Sequence, residues 1–161
     1  MRELFASAER SVLVATYAVF QGRQVFEPLA ARMEQVPDLK VRMFVNVARP
    51  HRDDTPENQI LKAFADEFRR DHWPGARLPE LYYDPRSLAV GKGPKAALHA
   101  KAIVVDDTQA FVTSANFTEA AQERNIEAGV LVESASFAIS LRLQFDSLVE
   151  TGWLRRLAIT D

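Results

Sequence analysis

Residues 97–125, ALHAKAIVVDDTQAFVTSANFTEAAQERN, read as two apolar strands joined by a short polar turn. The first strand carries His99 and Lys101 two positions apart, and the returning strand carries Ser114 and Asn116 two positions apart. Because successive side chains of a strand point to opposite faces, residues two apart share a face. The stretch therefore predicts a β-hairpin with a polar pair on each strand.

The length of the turn decides whether the two polar pairs meet. A loop of two or four residues within residues 106–109 places His99 opposite Asn116 and Lys101 opposite Ser114, whereas a three-residue loop puts the pairs on different faces. We expect the first register. It predicts a square of four polar side chains, which would be costly inside a sealed core and suits a strand end that opens into a cleft.

Two carboxylates belong to the same pattern. Asp106 lies at an odd offset from His99, so it faces the other side of the strand and is interpreted as a turn-shaping or Lys-orienting residue. Glu127 begins the next predicted strand, where its carboxylate would accept the imidazole N–H. By composition alone Glu127 is equally consistent with a solvated strand end, and a lone strand histidine is usually a tolerated residue without a function.

Composition limits the class of protein. With 161 residues, 47% of them hydrophobic, the chain predicts one globular domain covering residues 1–161. The net charge of −2 gives no global attraction to nucleic acid, so any phosphate affinity must be local. The chain contains no cysteine, which excludes disulfides and thiolate metal sites and permits the reducing cytoplasm, where we expect the protein to act. No apolar run approaches the ~20 residues of a membrane span.

Apolar runs alternate with amphipathic segments along the chain. We predict strands at residues 11–20, 38–47, 78–84 and 127–133 besides the hairpin, and helices at residues 2–10, 22–36, 57–73, from about 118, and 135–150. Pro28 should confine the second helix to the residues after it, and Thr55 should cap the third. This order predicts an α/β fold with a mixed β-sheet flanked by helices on both faces.

The combined pattern H99-A-K101-x4-D106, S114-A-N116 and E127 resembles the active-site signature of the phospholipase D superfamily. The resemblance covers most of the chain and implies a phospholipase D-like α-β-α sandwich. More narrowly, the segment is similar to the phospholipase-D-like component of bacterial DISARM anti-phage defence systems. That similarity implies that an N-terminal portion, which such proteins usually carry, is missing here. Thr113 departs from the superfamily, which usually has glycine before the serine.

The resemblance implies phosphodiester hydrolysis without a metal or cofactor. His99 would attack phosphorus and form a phosphohistidine. Lys101 and Asn116, assisted by Ser114, would stabilise the nonbridging oxygens, and Glu127 would orient a histidine. We include Asp106 with these candidate catalytic residues because it completes the pattern.

A second histidine must protonate the leaving oxygen and then activate water. The other histidines, His51 and His72, lack the lysine and asparagine context of His99. The economical solution is a two-fold homodimer that shares one active site. The resemblance implies the same arrangement, since superfamily members with a single signature are similar to it. The alternative is a partner protein, such as another component of a defence complex, that supplies the second half.

The approach to His99 is basic. Residues 86–101 contain four Lys or Arg and no acid, and such a segment would attract the phosphate backbone of DNA or another nucleic acid. A solvated loop explains the same composition equally well. The candidate substrate-binding residues are Lys95, Lys92, Arg86 and Arg49. Tyr82 and Tyr83 are expected to pack in the core rather than stack on bases.

No amphipathic basic helix suggests a lipid surface. The prediction is a nuclease of low sequence specificity in bacterial phage defence, and two other functions stay open. The others are a hydrolase of phospholipids or small phosphodiesters, and a catalytically silent nucleic-acid-binding subunit of a defence complex.

Overall fold

The computed structural model describes residues 1–51, 53–91, 95–118, 121 and 124–158. The α-helices of this part are α1 (Arg2–Ser7), α2 (Gly22–Gln35), α3 (Glu57–Glu67) and α4 (Ala135–Glu150). A π-helical turn, Phe68–His72, continues α3, and a 3-10 turn occupies Pro85–Leu88. The strands are β1 (Ser11–Thr16), β2 (Val19–Phe20), β3 (Lys40–Val45), β4 (Glu80–Tyr83), β5 (Ala102–Val105), β6 (Gln109–Thr113), β7 (Phe117–Thr118), β8 (Gly129–Glu133) and β9 (Arg155–Arg156).

A mixed sheet forms the centre of the described chain. Its strand order is β8-β6-β5-β1-β3-β4-β9. Strand β1 pairs in parallel with β3 and antiparallel with β5, so the hairpin β5–β6 extends a parallel βαβ core. A separate parallel pair, β2–β7, forms beyond the end of β1.

Alternation along β1 divides the apolar side chains between two cores. Val12 and Val14 pack with α1, α2 and α3 on one face of the sheet. Leu13 and Ala15 pack with α4 on the other face. The predicted fold, a mixed sheet with helices on both faces, is therefore confirmed. Each face buries apolar area, which is the main favourable term in folding.

Two helix starts differ from the sequence expectation. Helix α2 begins at Gly22 and contains Pro28, so the prediction that its regular part follows the proline is wrong. A proline removes one backbone hydrogen bond, and the burial of Val25 and Phe26 in the same segment opposes that loss. The predicted Thr55 cap is also wrong: no side chain caps α3, and the Thr55 backbone N–H donates to Asp53 Oδ1 instead.

Other differences are local. The predicted strand at residues 11–20 is divided into β1 and β2, and β9 was not predicted. The helix predicted from about Thr118 falls largely on residues outside the described part. Tyr82 and Tyr83 are buried, which confirms their predicted packing in the core. Among the described residues, no helix has both the length and the apolarity that crossing a membrane requires.

Candidate active site

The turn of the hairpin sets its register. Val105 pairs with Gln109, which leaves a loop of three residues, 106–108. Asp106 and Asp107 adopt left-handed backbone angles, with φ of 53° and 59°, a conformation that aspartate tolerates better than most residues. The two consecutive left-handed residues therefore accommodate a loop that the sequence reading rejected.

The predicted register is consequently wrong by one residue. Ala102 pairs with Val112, and the Thr113 N–H donates to the Lys101 carbonyl at 3.1 Å. Lys101 thus lies across from Thr113 rather than from Ser114, and the same register does not set His99 opposite Asn116.

Three of the polar residues nevertheless line one cavity, although the observed register separates the two pairs. Strand β5 begins only at Ala102 and β6 ends at Thr113, so the polar residues lie just beyond the paired segments. Strict alternation does not govern them there. A cavity of about 700 Å³ at this end of the hairpin is lined by His99, Lys101 and Ser114 among others.

His99 and Lys101 form the first half of the site. Lys101 Nζ lies 3.1 Å from His99 Nδ1, 3.2 Å from Nε2 and 3.0 Å from the His99 carbonyl oxygen. Because the lone-pair directions of the two ring nitrogens diverge, the ammonium cannot align with both. The contact therefore places a positive charge beside the imidazole rather than fixing one nitrogen. Both side chains are accessible to a ligand, since His99 is exposed and Lys101 half-buried.

Tyr17, which follows β1, completes this half and was missed by the sequence reading. Its ring centroid lies 4.7 Å from that of His99, and Lys101 Nζ lies 5.5 Å from the centroid of the tyrosine. The tilted ring contact and the cation–π contact both restrict the imidazole and the ammonium. Tyr17 ends an apolar run, and nothing in that run distinguishes it from a core residue.

Ser114 and Glu127 form the second half. Ser114 Oγ donates to Glu127 Oε2 at 2.5 Å and accepts the Ala128 N–H at 3.1 Å. Asn125 Nδ2 donates to Glu127 Oε1 at 3.3 Å. Both carboxylate oxygens therefore have protein donors, and in the described residues neither is recorded as bonding to His99. Asn125 is a second residue that sequence reasoning missed, because it falls at the end of a polar segment without a pattern.

Asn116 differs from these residues in its surroundings. Its Oδ1 atom is buried and has no hydrogen-bond partner among the described residues. An unpaired buried acceptor costs free energy, so such groups are rare in folded proteins and are concentrated at functional sites. The carboxamide is therefore a polar group without a structural partner, at the same end of the hairpin as the other site residues.

Thr113 holds the end of β6. Its Oγ1 donates to the Ala128 carbonyl at 3.2 Å and accepts the Ala115 N–H at 3.0 Å. The side chain thus ties the bend after β6 to the segment before β8. The position that departs from the superfamily pattern has a defined role in placing Ser114.

Asp106 lies at the far end of β5 from His99. Its carboxylate accepts the backbone N–H groups of Glu9, Arg10 and Ser11 at 2.8, 2.7 and 2.8 Å. The turn-shaping interpretation is confirmed, whereas the Lys-orienting one is wrong because these donors occupy the carboxylate. Asp106 therefore stabilises the fold at this end of the strand, and its inclusion among the candidate catalytic residues stays a prediction.

Of the candidate substrate-binding residues, Arg49 is also corrected. It is buried, and its guanidinium donates to the carbonyls of Leu88, Asp53 and Thr55. A guanidinium already engaged by three carbonyls inside the protein is a structural group. Its position after an apolar strand gave no sign of this burial.

The other three candidate substrate-binding residues differ in their surroundings. Lys95 is exposed and donates to the Arg49 carbonyl at 3.3 Å. Arg86 lines the cavity and forms a two-pronged ion pair with Asp84, with a closest distance of 2.6 Å. Lys92 lies outside the described residues.

The other two histidines lie in different surroundings. His51 is exposed in a turn. His72 is buried in the π-helical turn, with Nε2 3.5 Å from a Glu67 carboxylate oxygen. Neither lines the cavity that contains His99. Within the described residues, no group of three or more His, Cys, Asp or Glu side chains could hold a metal ion.

The sheet, the helices on both of its faces and the polar cleft at the strand ends define the class of protein. A family model described as "Cardiolipin synthase, PLD-like domain" matches residues 1–149. The chain therefore belongs to the phospholipase D-like family. Members of the phospholipase D superfamily are phosphodiesterases, including nucleases. Among curated proteins, no sequence matches this chain.

Solved structures share the fold at low identity. Nuc from Salmonella typhimurium, a phospholipase D family member, is 20% identical with a TM-score of 0.61, over 96% of this chain and 86% of its own. NucT from Helicobacter pylori is 17% identical with a TM-score of 0.64, over 92% and 84%. The phosphatidylserine synthase of Haemophilus influenzae Rd KW20 is 13% identical with a TM-score of 0.62, over 97% of this chain but 36% of that enzyme.

Proposed function

We propose that this chain is a metal-independent phosphodiesterase that cleaves nucleic acid with low sequence specificity. The observation that carries the proposal is the cavity that His99, Lys101 and Ser114 line together. It combines a nucleophile, a cation and a hydroxyl within one cleft. Family membership supports phosphodiester chemistry, and the choice of nucleic acid rests on the basic segment that leads to His99.

The chemistry proceeds in two displacements. A ring nitrogen of His99 attacks phosphorus, so a P–N bond forms while the bond to the leaving oxygen breaks. Lys101, only 3.1 Å from the imidazole, lies where it can neutralise the nonbridging oxygens. The carboxamide N–H₂ of Asn116 is proposed to donate further hydrogen bonds to these oxygens. Water then attacks phosphorus, the P–N bond breaks, and His99 is regenerated.

Ser114 and Glu127 act as a unit in this proposal. The 2.5 Å hydrogen bond directs the serine hydroxyl proton to the carboxylate, which leaves the serine oxygen to accept the Ala128 N–H rather than to donate to phosphate. Glu127 is proposed to orient a histidine that enters the cleft, since a carboxylate fixes an imidazole by accepting its N–H.

A second histidine is needed to protonate the leaving oxygen and to activate water. We propose that His99 of a second copy supplies it in a two-fold homodimer. The sheet edge beside the site supports this pairing: Ile126, next to Glu127, is fully exposed, and Val130 of edge strand β8 is 62% exposed. Exposed apolar side chains on an edge strand favour association with another chain.

The biological setting is proposed from sequence alone. We propose a role in phage defence because the sequence pattern resembles the phospholipase-D-like component of DISARM systems, and because damage to foreign DNA requires little sequence preference. Other components of such a complex are the proposed protein partners.

The decisive test is cleavage of single-stranded and double-stranded DNA in excess EDTA by wild type, His99→Ala and His51→Ala. His51 is an exposed histidine outside the cavity, so its replacement is the matched control. We expect cleavage by wild type and His51→Ala, and a loss of roughly 10⁴-fold or more for His99→Ala, the scale found when a nucleophile is removed. Cleavage that EDTA abolishes, or that His99→Ala retains, contradicts the mechanism.

The same experiment separates the alternatives. A lipid or small phosphodiester hydrolase would act on a phosphatidyl substrate and leave DNA intact. A silent binding subunit would bind DNA equally well with His99→Ala and cleave nothing. For the homodimer, sedimentation velocity of wild type and Val130→Asp is the test: the variant should become monomeric and inactive. An active monomer contradicts the shared site.

A further inference from the structure

The cavity beside His99 extends well beyond the polar residues. Its inner wall is apolar and includes Leu98, Leu141 and Phe145, which lie between the hairpin and α4. A phosphodiester group alone does not need such a wall, because it is charged and strongly hydrated. At about 700 Å³ the cleft has room for an organic group attached to the phosphate.

An exposed aromatic residue, Trp153, lines the open side of this cavity. Trp153 follows α4 and is 51% exposed, although large aromatic side chains usually lose most of their exposure on folding. The Arg86 guanidinium carbon lies 3.8 Å from the centroid of its indole ring. The guanidinium is held in turn by the buried carboxylate of Asp84, with a closest distance of 2.6 Å.

This three-residue stack is pre-organised. Arg86 Nε and Nη2 donate to Asp84, and Asp84 also accepts the Arg86 backbone N–H at 2.9 Å. The guanidinium of Arg86 is held by the Asp84 carboxylate on one side and contacts the Trp153 ring on the other. The indole is therefore already ordered and needs little further ordering to bind a flat ligand. The Ala89 backbone N–H donates to the Arg86 carbonyl, and this hydrogen bond also restricts the segment.

We propose, building on the nuclease function above, that Trp153 stacks a base of a single-stranded nucleic acid whose neighbouring phosphodiester lies at His99 and Lys101. Trp153, His99 and Lys101 all line the same cavity, so a ligand long enough to place its phosphate at the last two can place its base at the first. Flat, partly polar groups at the mouth (indole, guanidinium and the Gln144 amide) match a heterocycle better than an acyl chain, which has no flat face. A paired base is turned into its duplex, so the indole selects single strands.

The test measures binding in the His99→Ala background, so that no probe is cleaved. The probes are a fluorescein-labelled 12-nucleotide oligothymidylate and an abasic strand with the same number of phosphates. The proteins are His99→Ala alone and the same chain with Trp153→Ala, Trp153→Phe or Phe137→Ala. Phe137 is a comparably exposed aromatic residue at the opposite end of α4 and is the matched control.

We expect the parent to bind the base-bearing strand about 5- to 150-fold more tightly than the abasic strand, the range that one stacked base gives. Trp153→Ala should abolish this preference without weakening abasic binding. Trp153→Phe should keep part of it, and Phe137→Ala all of it. Binding should also quench the tryptophan fluorescence of the parent and not that of Trp153→Phe, in which only the buried Trp73 remains.

Equal binding of both strands by the parent overturns the inference, and this result does not depend on any Trp153 variant folding. Retained preference in a folded Trp153→Ala chain also overturns it. Trp153-dependent binding to phosphatidylglycerol vesicles, with no preference between the strands, would assign the cleft to an acyl chain instead. Failure of the nuclease proposal is separately visible, as absent cleavage in EDTA by a wild type that still prefers bases.

Discussion

The two ends of the β5–β6 hairpin contrast in how their polar groups are satisfied. At the turn, the Asp106 carboxylate accepts three backbone N–H groups from the start of β1. At the open end, His99 and Lys101 contact chiefly each other and Tyr17, and the buried Asn116 Oδ1 has no partner among the described residues. One short motif therefore contains both a saturated structural group and groups that remain available.

The difference shows how to separate residues of the fold from residues of the site. A polar group that stabilises a fold has its hydrogen bonds made within the protein, because an unmade buried bond costs free energy. A polar group that acts on a ligand must keep capacity free. By this criterion Asp106 and Arg49 serve the fold, and His99, Lys101 and Asn116 are the candidates for the site.

The largest expected effect tests the open end. Replacing Lys101 by Ala should reduce DNA cleavage by about 10²- to 10³-fold, the scale of removing one transition-state donor. The melting temperature of the variant should stay near that of wild type, because the contacts of the ammonium with the described residues all lie at the open end. Initial rates and thermal melts measure the two quantities. The control is Lys62→Ala, which replaces an exposed lysine on α3. A large fall in the melting temperature of Lys101→Ala would show that Lys101 stabilises the fold and would contradict the contrast between the two ends of the hairpin.

The next effect tests the turn. Asp106→Ala should lower the free energy of unfolding by about 1–3 kcal/mol, because three backbone donors lose a charged acceptor. The folded fraction should keep its turnover number, since Asp106 lies away from the cavity. Urea unfolding and active-site-normalised kinetics give the two values. The exposed Asp38 provides a control aspartate, and a lost turnover number at full stability would return Asp106 to the chemistry.

The smallest effect concerns a saturated carboxylate at the open end itself. Burial acts to raise the pKa of Asp84, but hydrogen bonds and charge from Arg86 outweigh burial and leave that pKa below its ordinary value of 3.8. A lowered folded-state pKa stabilises the protein above pH 3.8 and loses this contribution as the pH falls through the folded value.

At neutral pH the free energy of unfolding of the wild type should therefore exceed that of Asp84→Asn. The difference should be less than about 1 kcal/mol, because the ion pair of Asp84 with Arg86 is partly exposed. This difference in the free energy of unfolding should narrow as the pH falls below 3.8 and through the folded-state pKa of Asp84. Urea titrations at several pH values measure it. A gap that stays constant over this range would mean that Asp84 does not hold Arg86 through its charge.

Much of the fold followed from local patterns. Helix α4 was predicted at its observed bounds, and the structure shows that the Ser134 side chain caps it there by accepting the Phe137 N–H. The apolar strands were found because alternation and burial act within a few residues. The errors at Pro28 and Thr55 arose where packing by distant residues outweighed a local preference.

The candidate site was less accessible to the same reasoning. The residue pattern named His99, Lys101, Ser114, Asn116 and Glu127, but the proposed register was wrong because two left-handed aspartates define the turn. Tyr17, Asn125 and Trp153 carry no short-range signal. They reach the site from β1, from the segment before β8 and from the end of α4, and only the folded chain brings these segments together.

The sequence by itself determined an α/β sandwich, the hairpin and the identity of its polar side chains, because these depend on period and chemistry along short segments. The tertiary structure alone decided which of those side chains stay available. Hydrogen-bond satisfaction depends on donors and acceptors from distant parts of the chain: three backbone N–H groups near residue 10 engage Asp106, and three carbonyls engage Arg49. Within the part of the chain that the structure describes, no comparable set engages His99 and Lys101, and that difference distinguishes the candidate site from the scaffold.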